Sequence, residues 1–143
     1  MADTDRIERE ITIAASAERV WELVSRPGWF VNDGELRDHE LRVEGDVTVV
    51  VDPVHGEFRL RTETLEPPRY AAFRWLGEDG GSTLVEFHVA DREGGVLLRV
   101  VESGFDSLPG TDVERRERLA ENTEGWVQEL DLARTVCEEV RVA

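Results

Sequence analysis

The pattern that most restricts the fold is a long amphipathic segment at the C-terminal end of the chain. Its apolar or small residues recur at alternating spacings of four and three: Leu119, Thr123, Trp126, Leu130, Ala133, Cys137 and Val140. This spacing places them on one face of an α-helix. Thr111, with Glu114 three residues later, predicts a capping box at the start. We therefore predict a helix of about 28 residues, roughly 42 Å long.

Gly125 lies inside this predicted helix. Glycine costs about 1 kcal/mol relative to alanine in a helix interior. We therefore expect another backbone or a ligand to approach the helix closely at this position.

Short alternating segments fill most of the chain before this helix. We predict strands at residues 6–14, 39–44, 46–52, 57–66, 70–76, 82–90 and 96–102. Turn signals such as Gly45-Asp46 and Gly94-Gly95 separate them. Within 57–66, the alternation predicts that Phe58, Leu60, Thr62 and Thr64 share one face. Consecutive strands with short turns indicate an antiparallel meander.

A short helix is predicted directly after the first strand. Ser16 is a suitable N-cap for a helix over residues 17–25, and Pro27-Gly28 ends it. Residues 29–31 follow as a loop or a second short helix. A small flat sheet cannot cover a helix as long as the C-terminal one, so the strands must curve around it. We predict a single α+β domain over 1–143, in which about six or seven strands grip the helix and leave a cavity.

Three segments of the chain resemble a known family. They are ITIAASAERVWELVSRP, FRLRTETLEPPRYAAFRW, and a C-terminal stretch that contains Glu102-Ser103-Gly104-Phe105 and Asn122-Thr123-Glu124-Gly125-Trp126. Over about 6–140, the chain is similar to the START-like (SRPBCC) helix-grip superfamily. Within it, the chain resembles the family named for the activator of heat-shock-protein-90 ATPase, C-terminal domain type.

The resemblance implies the helix-grip fold, with two short helices after the first strand. It also implies that a stand-alone bacterial-type member binds a small hydrophobic ligand. A chaperone partner follows only by family analogy. Where the family often has a Trp-Trp pair, this chain has Trp29-Phe30-Val31.

The charge balance narrows the classes of partner. The chain has 32 acidic and 17 basic residues, a formal net charge of -15, and all its basic residues are arginine. Such a surface disfavours nucleic acid and anionic membranes as partners. The absence of lysine excludes a Schiff-base or phosphate-loop lysine. The single cysteine, the charged N-terminal segment and the lack of a long apolar run favour a cytoplasmic location.

The candidate pocket residues are those expected on the concave face, on the helix or in the connecting loops. They are Trp29, Phe30, Phe58, Leu60, Phe73, Trp75, Phe87, Leu98, Glu102, Phe105, Trp126 and Leu130. Because Trp29, Phe30 and Phe105 are predicted in loops, we expect them at the cavity mouth. Glu102 either lines the cavity with a raised pKa or pairs with an arginine. Glu124 is expected to point to water.

Three functions fit this pattern. The first is binding of a small hydrophobic or aromatic ligand in the cavity. The second, implied by the resemblance to a superfamily with cyclase and aromatase members, is a polyketide cyclase/aromatase-like enzyme that uses Glu102 for proton transfer. The third is a co-chaperone-like interaction module, and a homodimer is an open alternative.

No catalytic residue, metal site or cofactor is predicted. His39, His55 and His88 do not have metal-ligand spacing. Cys137 is expected to be an inert core thiol because it lies on the apolar side of the helix.

Overall fold

One antiparallel sheet of seven strands forms the body of the protein in the computed structural model, which describes residues 5–32, 39–54, 56–77 and 80–139. The strands are β1 (Arg6–Ile13), β2 (Glu40–Glu44), β3 (Val47–Asp52), β4 (Gly56–Glu66), β5 (Tyr70–Leu76), β6 (Ser82–Arg92) and β7 (Gly95–Ser103). Their order in the sheet is β1-β7-β6-β5-β4-β3-β2. The predicted antiparallel meander is confirmed for β2 to β7, and β1 pairs with β7 as an edge strand of the sheet.

Two α-helices and one 3-10 helix accompany the sheet in the described residues. Helix α1 spans Ala17–Val24, with Ser16 accepting a hydrogen bond from the Arg19 backbone as the predicted cap. Helix α2 spans Asp112–Glu138 and begins with the predicted capping box of Thr111 and Glu114. A 3-10 helix at Phe105–Ser107, which the sequence analysis missed, connects β7 to α2. The α+β helix-grip fold is therefore confirmed.

The second short helix after β1 is wrong for the described residues. Residues 25–30 form turns, and 33–38 lie outside the described residues. Gly28 has φ +76°, and a Cβ there would come within 2.5 Å of Val50. The left-handed φ of Gly28 is incompatible with a right-handed α-helix at this residue, and the missing side chain lets the turn pack against β3.

The predicted alternation along β4 is wrong beyond Thr62. The register between β4 and β5 shifts between Thr62 and Thr64, so that Thr62 pairs with Phe73 and Thr64 with Ala72. Such a bulge inserts one residue and reverses the faces that follow it. Thr64 therefore does not share the concave face with Leu60.

The two halves of α2 pack differently. Its buried residues are Trp126, Leu130, Ala133 and Cys137, all in the second half, whereas Leu119 is only partly buried. Val140 lies outside the described residues. Arg19 of α1 fixes the C-terminal end by donating hydrogen bonds to the carbonyl oxygens of Val136, Cys137 and Glu139. The first half of α2 is left with a mostly unburied side.

Among the described residues no other backbone approaches Gly125, so the backbone alternative of that prediction is wrong. A Cβ built on Gly125 has no neighbour within 4 Å outside the helix's own backbone. We expect Gly125→Ala to raise the free energy of unfolding by about 1 kcal/mol, since it removes only the helix penalty of glycine. Urea denaturation measures the change.

Gly81 provides the matched control for this substitution. Its φ is +72°, and a Cβ there would lie 2.5 Å from the Ser107 carbonyl oxygen. Gly81→Ala should therefore lower stability. A loss of stability in Gly125→Ala would contradict the open space beside that position.

Candidate functional site

An open cleft of about 710 Å³ lies between the first half of α2 and the sheet. The strands contribute Phe58, Trp75, Thr83 and Glu102 to its lining, the connection after the 3-10 helix contributes Leu108 and Pro109, and α2 contributes Glu114, Arg115, Arg118 and Asn122. Glu57, Arg59, Leu76, Gly77 and Gly80 complete the lining. The cleft forms where α2 lacks buried side chains.

Glu102 is a buried carboxylate in the lining of this cleft. It pairs across the sheet with Ile7 of β1 and Val85 of β6, both buried, which places it on the concave face. Its residue is only 1% exposed. Thr83 lies two residues before Val85 on β6 and therefore faces the same side.

Three side chains donate hydrogen bonds to Glu102. Trp126 Nε1 and Asn122 Nδ2 donate to Oε1 at 2.9 and 3.2 Å, and the Thr83 hydroxyl donates to Oε2 at 2.7 Å. Asn122 and Trp126 are four residues apart on α2, so both reach the same carboxylate from one face of the helix. Glu102 thereby joins β6, β7 and α2.

Burial raises the pKa of Glu102 above its usual value. The hydrogen bonds from Thr83, Trp126 and Asn122 and the positive charge of Arg118 act in the opposite direction. No arginine of the described residues lies within ion-pair distance of Glu102. The predicted alternative in which Glu102 pairs with an arginine is therefore wrong for this part of the chain.

An apolar wall faces the polar groups of the cleft. The ring of Phe58 packs edge-on against Trp75, with centroids 5.7 Å apart. Trp75 also contacts Phe30 at 5.3 Å, which links the wall to the aromatic core. The wall offers flat surfaces next to a buried carboxylate, an arrangement suited to an aromatic molecule with one polar group.

The structure divides the predicted pocket residues into two groups. Phe58, Trp75 and Glu102 line the cleft, and Trp126 reaches it through its hydrogen bond to Glu102. The others pack in the core: Trp29, Phe30, Leu60, Phe73, Phe87, Leu98, Phe105 and Leu130. In the core, the Phe87 ring contacts those of Trp29, Phe30, Phe73 and Trp126.

The expected positions of Trp29, Phe30 and Phe105 at the mouth are wrong. Their residues are 3%, 5% and 0% exposed. The turn at Gly28 directs Trp29 and Phe30 into the aromatic cluster around Phe87, and the 3-10 helix buries Phe105. A loop position in the sequence therefore did not mean an exposed ring.

Sequence reasoning missed the residues that α2 contributes to the cleft. Arg115, Arg118 and Asn122 precede Trp126 at spacings of three and four, so they continue its face towards the helix start. The face changes from apolar to polar at this point. That change was the available signal for an open site.

Other reactive side chains lie outside the cleft lining. Tyr70 donates a hydrogen bond to Glu86, and burial raises the pKa of Tyr70 to about 12. His39 Nε2 lies 3.1 Å from Asp52 Oδ1. Burial raises the pKa of the Cys137 thiol, which makes the thiolate scarce.

Glu124 is exposed, as predicted. The cleft thus has Glu102 as its one buried titratable group among the described residues.

The described residues contain neither a metal-binding cluster nor a membrane-spanning helix. No group of three His, Cys, Asp or Glu residues in the described ranges is arranged to hold a metal ion. None of the helices in those ranges has the length and apolarity needed to cross a bilayer. His55 lies outside the described residues.

Comparison with protein families matches residues 14–135 to the family described as "Activator of Hsp90 ATPase homolog 1-like protein". The chain belongs to this family. The match begins directly after β1 and ends within the last turn of α2, so it includes all the residues that line the cleft. Among curated proteins, no match was found.

Solved structures of low sequence identity share the fold of this family member. Protein MLL2253 from Mesorhizobium loti is 16% identical with a TM-score of 0.73, covering 96% of this chain and 99% of that one. The Aha1 dimer from Colwellia psychrerythraea is 16% identical with a TM-score of 0.67, covering 93% and 96%. DynU16, a putative protein in the dynemicin biosynthetic locus, is 22% identical with a TM-score of 0.71. This chain is covered to 96% but spans only 48% of DynU16.

Proposed function

We propose that this protein binds a small hydrophobic or aromatic molecule in the cleft between the sheet and the first half of α2. The supporting observation is the combination of a space of about 710 Å³, an aromatic wall of Phe58 and Trp75, and one buried carboxylate. Small-molecule pockets commonly measure about 300–1,000 Å³ and pair apolar walls with few polar groups. The similarity to a protein encoded in a biosynthetic locus is consistent with a small organic ligand.

Phe58 and Leu65 offer a matched test because both lie on β4. Phe58 lines the cleft, whereas Leu65 is exposed and does not. With 2-naphthol as the probe in isothermal titration calorimetry, Phe58→Ala should weaken binding about tenfold, while Leu65→Ala leaves it unchanged. Equal effects of the two substitutions would contradict the proposal.

Native mass spectrometry of freshly purified protein then tests for a natural ligand as a discrete extra mass.

Acid-base catalysis by Glu102 is the second candidate function. The raised pKa of this buried carboxyl favours it, since the group keeps its proton to a higher pH than an exposed carboxyl does and can then act as a general acid. A second acid-base group next to Glu102 is lacking in the described lining: Tyr70 donates its hydrogen bond to Glu86, and neither His39 nor His88 lines the cleft. Binding is therefore the better-supported function. A product formed from a bound ligand by wild type but not by Glu102→Gln would reverse this preference.

A homodimer and a chaperone partner remain predictions. The Colwellia psychrerythraea relative is a dimer. In this chain, every residue of the edge strand β2 is exposed, including the apolar Leu41 and Val43. An exposed edge strand is a surface on which another chain can pair.

A further inference from the structure

The hydrogen bonds of Glu102 leave one acceptor position for a ligand. A carboxylate has about four lone-pair sites. Two donors share Oε1, whereas Oε2 accepts only from Thr83 among the described residues. Since Glu102 also lines the cleft, a ligand hydroxyl or amine can occupy the remaining site on Oε2.

Arg118 is the arginine of the cleft lining whose guanidinium makes no hydrogen bond or ion pair with the described residues, although its charge acts on Glu102 through space. Arg59 pairs with Glu44. Arg115 donates to the carbonyls of Leu108 and Gly110 and pairs with Asp112. Arg118 has no hydrogen bond or ion pair in the described part of the chain and is exposed on the cleft side of α2. Its guanidinium is therefore free to bind an anion, and the planar fork suits a carboxylate.

Arg118 and the helix residue that is hydrogen-bonded to Glu102 lie on the same face of α2. Asn122 is hydrogen-bonded to Glu102, and Arg118 precedes it by four residues, a rise of about 6 Å along the helix axis. The aromatic wall of Phe58 and Trp75 lines the same space. We infer that the cleft takes a hydroxyaryl or aminoaryl carboxylic acid, with its donor group on Glu102, its carboxylate on Arg118 and its ring on the Phe58–Trp75 wall. This inference rests on the proposed binding function and specifies its ligand class.

Three related aromatic compounds test the contact with Glu102 and the contact with Arg118 separately. The compound 6-hydroxy-2-naphthoate carries both groups, 2-naphthoate lacks the hydroxyl, and 2-naphthol lacks the carboxylate. Their dissociation constants are measured by calorimetry with wild type, Arg118→Gln and Glu102→Gln. Arg116→Gln is the control because it removes the same charge from an exposed position of α2 that does not line the cleft.

Arg118→Gln should weaken the binding of the two carboxylates about tenfold and change the dissociation constant of 2-naphthol less than about twofold. Glu102→Gln should weaken the binding of the two compounds that carry a hydroxyl about fivefold and leave the dissociation constant of 2-naphthoate unchanged within about twofold. Wild type should bind the compound with both groups most tightly. If Arg118→Gln and Arg116→Gln change carboxylate affinity equally, the inference is overturned. If Glu102→Gln does not fold, the comparison of Arg118→Gln with Arg116→Gln still tests the inference.

The outcomes also separate this inference from the proposed function. If 2-naphthol binds and Phe58→Ala weakens it, but Arg118→Gln does not discriminate against carboxylates, the ligand class is wrong and the binding function stands. If none of the three compounds binds wild type, both the ligand class and the aromatic-binding function are contradicted.

Discussion

Replacing Phe87 with alanine is expected to lower the free energy of unfolding by about 4 kcal/mol. Phe87 is fully buried, and its ring contacts Trp29, Phe30, Phe73 and Trp126. Removing the ring leaves a cavity that four large side chains cannot readily fill. Urea denaturation followed by circular dichroism measures the change.

Phe58→Ala is the matched control for the core substitution. Phe58 is only partly buried at the edge of the cleft. Its loss should cost about 1 kcal/mol, since less apolar surface becomes exposed. Comparable losses for the two phenylalanines would contradict the division into packed core and open cleft.

Replacing Glu102 with alanine is the second large effect, with an expected loss of about 3 kcal/mol. The substitution leaves the donors of Thr83, Asn122 and Trp126 without their acceptor in a buried site. Glu102→Gln keeps an acceptor of the same shape and should cost about 1 kcal/mol or less at neutral pH. Glu124→Ala, at an exposed position of α2, should change stability by less than about 0.5 kcal/mol. Equal losses for Glu102→Ala and Glu124→Ala would contradict the buried hydrogen-bond network.

The pH dependence of Glu102→Gln reports on the raised pKa of Glu102. Burial raises this pKa above 4.5, so above that pH the folded state binds more protons at Glu102 than the unfolded state does. The contribution of the group to stability is therefore full below pH 4.5 and falls as the pH rises through the folded-state pKa. We expect the stability of Glu102→Gln to increase relative to wild type as the pH is raised from 4.5. A constant difference across this range would show that the pKa is not raised.

The fold could be predicted from the sequence because its signals are local. The helix predicted at residues 17–25 is observed at Ala17–Val24, and the strand predicted at 96–102 is observed at Gly95–Ser103. Caps, turn residues and apolar periodicity determine these elements within a few residues of sequence. The bulge after Thr62 was missed because the alternating pattern continues through it.

The site was less predictable because it depends on the distance between α2 and the sheet. Glu102 was identified by its position in β7, and the structure places it on the concave face as expected. Arg118 and Asn122 resembled ordinary exposed helix residues. The change from an apolar to a polar face along α2 is visible in the sequence, but the open space beside it depends on the packing of α2 against the sheet. Trp29 and Phe105 resembled loop residues, because their burial depends on contacts between elements distant in sequence.

The most direct test of ligand binding in the cleft uses the indole N–H resonances of the four tryptophans, Trp21, Trp29, Trp75 and Trp126. Trp75 lines the cleft, and the Trp126 indole donates to Glu102, whereas Trp21 on α1 does not line the cleft. In a titration of ¹⁵N-labelled protein with 2-naphthol, the Trp75 and Trp126 resonances should shift to saturation while that of Trp21 stays unchanged. Equal shifts at all four indoles, or no saturable shift at Trp75, would contradict binding in the cleft.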